Sequence, residues 1–240
     1  DGQSVTAESF ELALPFRSTF RLHRDVLRLR DGRLLLTGYG RKENAPRFFS
    51  FVIESKDDGK SWSYLSTILE DPAARMPEGP NECAVVELSG GELLAYVRVG
   101  GVSPLLQLRS GDGGRSWSTK TSIYKGVNWE PSIIELSSGE IQIFFSQVSP
   151  GIARWGLKEN RNSTGTAMIS SADGGYTWTP NVTEAPWQAK IAFQQYVLEV
   201  EGSPSFTDQM SVVTELYDGT LAAVCESKDA NKDFHISIIY

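Results

Sequence analysis

The chain has 240 residues, with 40% hydrophobic and 22% charged side chains and a net charge of −7. That is the composition of an ordinary globular domain with room for a large core. The acidic balance and lack of a basic cluster argue against nucleic acid or an anionic membrane surface as the main partner, and no apolar run approaches a membrane span. Two histidines without clustered ligands give no basis for a metal or other cofactor. Cys83 and Cys225 form neither a disulfide framework nor a metal spacing and read as buried small side chains.

Residues 9–16 alternate apolar and polar side chains and predict a strand, broken near its end by Pro15. A recurring unit begins at Arg21. Residues 26–30 form its first strand, Asp31-Gly32 a two-residue hairpin signal, and residues 33–36 the return strand. A polar loop over 38–47 leads to a third strand at 48–54 and a fourth from Trp62 to about Thr67. The second unit has strands at 85–88, 92–97 and 105–109, turning at Gly90-Gly91. The third has strands at 133–136 and 140–145 about Ser138-Gly139 and, after a long insertion, at 167–169. The fourth has strands at 212–216, 220–224 and 234–239, with Asp218-Gly219 at its hairpin. No helix is expected.

Three of the units pass from their third strand into the same turn. Ser55-Lys56-Asp57-Asp58-Gly59-Lys60-Ser61-Trp62, Ser110-Gly111-Asp112-Gly113-Gly114-Arg115-Ser116-Trp117 and Ser171-Ala172-Asp173-Gly174-Gly175-Tyr176-Thr177-Trp178 share the pattern Ser-x-Asp-x-Gly-x-Ser/Thr-Trp. Ser and Asp side chains accept hydrogen bonds from nearby backbone N–H groups, Gly supplies a positive φ, and Trp returns a large apolar plate to the fold. The copies begin 55 and 61 residues apart. Four-stranded antiparallel units at this period are the blade pattern of a β-propeller, and a blade must stack on its neighbours to bury both faces. A β-sandwich explains the hairpins but not the repeated turn. The expectation is one all-β propeller domain over 1–240 with about four blades, a fragment of a larger ring.

The repeated turn resembles the Asp-box of the sialidase (neuraminidase) superfamily, and the chain from Arg21 to Tyr240 resembles its BNR-repeat, sialidase-like proteins. That resemblance implies a six-bladed propeller, which at this spacing needs about 330–350 residues. It also places the boxes at the blade periphery, so Asp57, Asp112 and Asp173 are turn residues rather than catalysts.

Chemistry is expected where inner-strand ends converge. The hairpin glycines Gly32, Gly91, Gly139 and Gly219 serve as a ruler that brings Arg24, Tyr39, Glu82, Arg98, Glu130, Asp208 and Glu226 to one rim. Charged residues beside apolar strands are costly unless paired or used. Asn81-Glu82-Cys83 through Arg98 is similar to the sialidase segment that carries a Glu and a carboxylate-binding Arg. By that resemblance Glu82 is the base that activates a Tyr nucleophile. Arg98 is one arm of an arginine triad, and Arg24 corresponds to the first arm. A sialoside carries a carboxylate beside its anomeric carbon, so a neutral Tyr avoids repulsion and arginine grips the carboxylate with two hydrogen bonds.

The departures from the family pattern are specific. His23-Arg24-Asp25 stands where Arg-Ile-Pro is usual, the expected acid/base Asp is not evident between Gly38 and Asn44, and Met210 occupies the nucleophile position. Asn128-Trp129-Glu130-Pro131 instead resembles a segment of the related exo-arabinanase propellers, which use two carboxylates on a neutral sugar. Glu82, Asp25 and Glu130 are therefore the candidate catalytic residues, with Glu226 a further carboxylate for that reading. Arg24, Arg98, Tyr39, Arg41, Trp129, Asp208 and Glu226 are the candidate substrate-binding residues. Arg154 and Arg161 are further sources of a triad arginine.

Three readings follow: an exo-glycosidase of terminal sugars with sialic acid favoured, a carboxylate-pair glycosidase on a neutral glycan such as arabinan, and a non-catalytic propeller that binds glycans or proteins. The expected partner is a glycan or glycoconjugate. The sequons Asn162-Ser163-Thr164 and Asn181-Val182-Thr183 lean toward a secreted, periplasmic or cell-surface location.

Overall fold

The structure, a computed structural model, describes residues 9, 11–73, 78–100, 104–124, 128–146, 166–179, 190–193, 196–200, 203–206, 209–228 and 234–240. These residues form antiparallel sheets and no helix. The first sheet holds β1 (Ser18–Arg28), β2 (Leu34–Lys42), β3 (Phe49–Ser55) and β4 (Ser63–Glu70) in chain order. The second holds β5 (Cys83–Glu87), β6 (Leu93–Val97), β7 (Leu105–Ser110) and β8 (Thr121–Tyr124). The third holds β9 (Trp129–Glu135), β10 (Ile141–Ser146), β11 (Thr166–Ser171) and β12 (Lys190–Phe193). A hairpin of β13 (Tyr196–Val200) and β14 (Ser203–Phe206) precedes the last sheet, β15 (Gln209–Glu215), β16 (Leu221–Lys228) and β17 (Phe234–Ile239).

The innermost strands β1, β5, β9 and β15 pack on one another in that order. Together they line a cavity of about 290 Å³ whose walls include Leu27, Val85, Ile133 and Val212. The core lies between adjacent sheets. Leu94, Tyr96 and Leu105 of the second sheet meet Ile141, Ile143, Ile169 and Trp178 of the third. Leu29, Leu35 and Val52 of the first meet Leu93, Ala95 and Leu108 of the second. Strands buried on both faces read as continuous apolar runs, which is why β6 (LLAYV) is buried at every position.

All four inner hairpins share one geometry, and it is not a two-residue turn. Leu29 N donates to Arg33 O at 2.8 Å and Gly32 N to Leu29 O at 2.9 Å, with the same pair of bonds at Leu88, Leu136 and Leu216. Three residues are thus enclosed, and the third is a glycine at φ 83–90°. This is a type I turn followed by a left-handed residue, which supplies the register offset that Asp31-Gly32 alone does not announce.

Three further expectations are corrected. Residues 9–16 form no strand among those described. Leu12, Leu14 and Phe16 instead lie against Phe49, Phe51 and Ile53 on the first sheet, Phe16 meeting Phe49 edge-on at 4.9 Å. An extended coil buries alternate residues as a strand does, so the pattern alone cannot separate them. The polar loop proper is shorter, because β2 runs on to Lys42. β1 starts at Ser18 and bulges between His23, opposite Thr37, and Leu27, opposite Leu35. Gly38 permits this long pairing, since a Cβ there would lie 2.6 Å from the Phe51 ring and 3.0 Å from Arg21 O.

The three repeated turns close as their side chains dictate. In the first, Ser55 Oγ accepts from Gly59 N at 2.8 Å, while Asp57 accepts from Ser61 N at 2.8 Å and Ser61 Oγ at 2.6 Å. These donors hold the Asp57 carboxyl down at about 2, and their equivalents likewise lower Asp112 and Asp173. The second and third turns also latch neighbouring sheets. Arg33 and Ser66 of the first sheet donate to the carbonyls of Gly113 and Gly114. Arg109 and Gln107 of the second donate to Gly174 and Gly175.

Candidate functional site at the strand rim

Register fixes which end of each sheet is which. Leu34 pairs with Ser55 at the end that carries the repeated turn, and Gly40 with Phe49 at the opposite end. Cys83 opposite Val97, Trp129 opposite Ser146 and Gln209 opposite Glu226 mark that same opposite end in the other sheets. Asp57, Asp112 and Asp173 therefore stand at the far end of their sheets from the rim.

A rim pocket of about 500 Å³ opens between the first two sheets. It is lined by Thr19, Phe20 and Arg21 of β1, Tyr39 to Arg41 of β2, Phe48, and Glu78, Asn81, Glu82 and Arg98. Arg98 lies at its centre of charge. Its guanidinium is 3.2 Å from Glu82 Oε1 and 3.4 Å from Glu78 Oε2, with side chains 13%, 16% and 36% exposed respectively. The backbones of Glu82 and Arg98 are fixed too, Arg98 N donating to Glu82 O at 2.9 Å. The second oxygen of Glu82, Oε2, accepts from Glu130 N at 3.0 Å, which ties this array to the third sheet.

Tyr39 forms an aromatic wall, edge-on to Phe48 at 5.6 Å and to His23 at 6.2 Å. Arg41 stacks over Phe48 at 4.7 Å. Among the described residues the side chains of Arg21 and Arg41 enter no ion pair, so the pocket lining carries three arginines against two glutamates in a chain of net charge −7. Thr37 Oγ1 lies 2.6 Å from His23 O and 2.7 Å from Cys83 O, spanning the boundary between the two sheets beneath the pocket.

The rim thus brings together Tyr39, Arg41, Glu82 and Arg98. Glu130 reaches the group through its backbone, and its carboxylate accepts from Ser146 Oγ at 3.3 Å. Glu130 sits at φ 54°, a left-handed conformation uncommon for a residue with a Cβ and often found where a side chain is held for use. Trp129 is half-buried at the start of β9, its indole N–H buried without an acceptor, and is not part of the pocket lining.

Other assignments change. Arg24 lies on the bulged part of the β1 backbone, between His23 and Leu27, whereas Arg21, three residues earlier and opposite Tyr39, lines the pocket. Asp25 is exposed and lines the inner cavity with Glu87 and Glu135, so it is not a partner of Glu82 at the rim. The ruler failed on β1 because counting back from Gly32 assumes an unbroken strand, whereas the bulge inserts two residues. Glu226 is half-buried at the rim end of β16, opposite Gln209, and outside the pocket lining. Asp208, Arg154, Arg161 and both sequons lie outside the described residues.

Sequence reasoning missed Arg21, Glu78 and Asn81. Glu78 and Asn81 come from the connection between sheets, where strand periodicity gives no register. Cys83 and Cys225 are buried and form no disulfide, and burial raises the Cys83 thiol pKa. Among the described residues no group of three His, Cys, Asp or Glu is arranged to hold a metal ion, and no helix is long and apolar enough to cross a membrane.

Comparison with solved structures defines the fold. A Dyadobacter fermentans protein of unknown function superposes with TM-score 0.62 at 15% identity, over 89% of this chain and 51% of that one. A Hadza microbial sialidase does so with TM-score 0.58 at 14% identity, over 95% and 39%. The Penicillium chrysogenum alpha-L-arabinanase complexed with arabinobiose gives 0.58 at 19%, over 94% and 62%. The chain spans between about two-fifths and three-fifths of these structures. It has the all-β architecture of sialidase- and arabinanase-type propellers. No protein-family model and no curated protein matches its sequence.

Proposed function

We propose that the rim pocket is the glycan-binding site of a propeller glycosidase, exo-acting on a terminal acidic sugar, with sialic acid favoured. The observation that carries this reading is the gathering of Arg21, Arg41, Arg98, Tyr39 and Glu82 around one pocket of sugar size. Arg98 is occupied by two carboxylates and so orients Glu82, leaving Arg21 and Arg41 to donate to a substrate carboxylate. Tyr39 and Phe48 supply apolar surface for a sugar face. Glu82, held by a guanidinium on one oxygen and a backbone N–H on the other, presents negative charge to an oxocarbenium-like transition state or accepts a proton from a nucleophile. The sialidase and the arabinanase that share the fold both act on glycans by name, which supports a glycan substrate. Such a substrate suits an exported setting: secreted, periplasmic or cell-surface.

A second reading is favoured by the Glu82–Glu130 contact alone. Glu130 N donates to Glu82 Oε2 at 3.0 Å, which brings two glutamates of adjacent sheets to one rim, and two carboxylates in one site are what a glycosidase acting on a neutral sugar needs.

Titration with N-acetylneuraminic acid and with arabinobiose separates the two. The first reading predicts saturable binding of the acidic sugar that weakens about tenfold or more in Arg21→Ala and Arg41→Ala, as loss of a charge-assisted hydrogen bond requires. Binding of arabinobiose but not the acidic sugar supports the second, and binding of neither contradicts both.

A further inference from the structure

The connection into the second sheet contains one side chain that contacts both glutamates held by Arg98. Asn81 is 3% exposed. Its Nδ2 donates to Glu78 Oε2 at 2.9 Å, and its Oδ1 accepts from Glu82 N at 2.8 Å. Its backbone N donates to Arg98 O at 2.9 Å, and its backbone O accepts from Ser50 Oγ, on β3 of the first sheet, at 2.7 Å. One residue thus touches every member of the Glu78–Arg98–Glu82 array and anchors it to the neighbouring sheet.

We propose that Asn81 is the positioning residue of the rim pocket: it holds Glu78 against Arg98, and through Arg98 and the Glu82 backbone it aims the Glu82 carboxylate. The role follows from the geometry of a planar amide. Glu78 is 36% exposed and would otherwise sample solvent, leaving Arg98 paired on one side only. The amide donor supplies a fixed, buried partner for the Glu78 oxygen that Arg98 also contacts. The opposite edge of the same amide fixes the peptide from which Glu82 projects. Only Asn meets both demands at this length. Asp lacks the donor and sets a second carboxylate against Glu78, and Ala lacks both bonds. Gly100 closes the arrangement from above, since a Cβ there would lie 2.7 Å from Glu78 Oε2.

The functional consequence rests on the glycosidase reading, but the positioning does not, so two measurements keep them apart. The first is the side-chain Nε–H resonance of Arg98, assigned by its loss in Arg98→Lys. Arg98 Nε is buried without an acceptor, so its resonance reports the local field of the two glutamates. Asn81→Asp and Asn81→Ala are expected to move or broaden it, while Ser50→Ala, which removes only the anchor to β3, leaves it near its original place. The second is sialoside hydrolysis. Both Asn81 variants are expected to lower kcat by about 10- to 100-fold with little change in KM, the signature of a misplaced group rather than a lost contact. Glu78→Ala is expected to lower kcat similarly, and the double variant Glu78→Ala/Asn81→Ala no further. An Arg98 resonance unmoved in both Asn81 variants overturns the proposal whatever the activity. A moved resonance in a protein that hydrolyses no sialoside sustains the positioning role and counts against the glycosidase reading. Should Asn81→Ala fail to fold, Asn81→Asp, nearly isosteric, decides alone.

Discussion

Glu82 of the second sheet and Glu130 of the third are joined by a hydrogen bond, Glu130 N to Glu82 Oε2 at 3.0 Å. Glu130 makes this bond at φ 54°, a conformation that costs a residue with a Cβ local backbone strain. Glu130→Gly should therefore keep or raise stability, by up to about 1 kcal/mol, since glycine adopts this conformation freely. Activity should fall in the same variant, because the carboxylate is gone. Paired thermal melts and hydrolysis rates test this; a drop in melting temperature of several degrees would contradict the strain, and unchanged hydrolysis would contradict a use for the carboxylate.

The glycines of the repeated turns differ from those of the inner hairpins in what surrounds them. Gly175, at φ 81°, has Leu94, Arg109 and Gln107 at 3.0–3.2 Å from the place of a Cβ, and Gly32, at φ 90°, has nothing within 4 Å. Gly175→Ala should cost about 2–3 kcal/mol, from strain and overpacking of the sheet boundary together. Gly32→Ala should cost about 1 kcal/mol, from strain alone. In melting temperature these are roughly 4–12 °C and 2–4 °C for a chain of this size. Equal effects at the two positions would contradict the latch.

Asp57, Asp112 and Asp173 bind their protons more weakly in the folded chain than the ordinary value of 3.8, because hydroxyl and backbone donors stabilise the carboxylates. A depressed folded pKa contributes stability above the unfolded pKa and loses it as pH falls through the folded one. The loss should begin below about pH 4 and, for Asp57, run to about 2. Denaturant unfolding across pH 2–7 should show this fall, and Asp57→Asn/Asp112→Asn/Asp173→Asn should flatten it. An unchanged slope in the triple variant would place the acid sensitivity elsewhere.

The repeated turns and hairpin glycines were legible because their chemistry is local: hydrogen-bond donors two to four residues away and a positive φ leave a fixed signature in sequence. Glu82, Tyr39 and Arg98 could be brought to one rim by counting, since β2, β5 and β6 run without interruption from their hairpins. The same count runs two residues out of step on β1, because the bulge between His23 and Leu27 has no signature in those residues. Asn81 and Glu78 were invisible for another reason. Their roles depend on contacts with Arg98 across a loop, and nothing in the spacing of a loop encodes what it will touch.

Glu82 is the residue on which glycan cleavage at the rim pocket depends in the proposed function. The most direct measurement is release of the fluorophore from an umbelliferyl α-sialoside by the wild-type chain and by Glu82→Gln, which keeps the shape and removes the charge. The prediction is measurable release by the wild type and a loss of about 10²- to 10⁴-fold in the variant, the range for a general base. Equal release by the two proteins would remove Glu82 from the chemistry, and no release by the wild type would contradict the sialoside assignment itself.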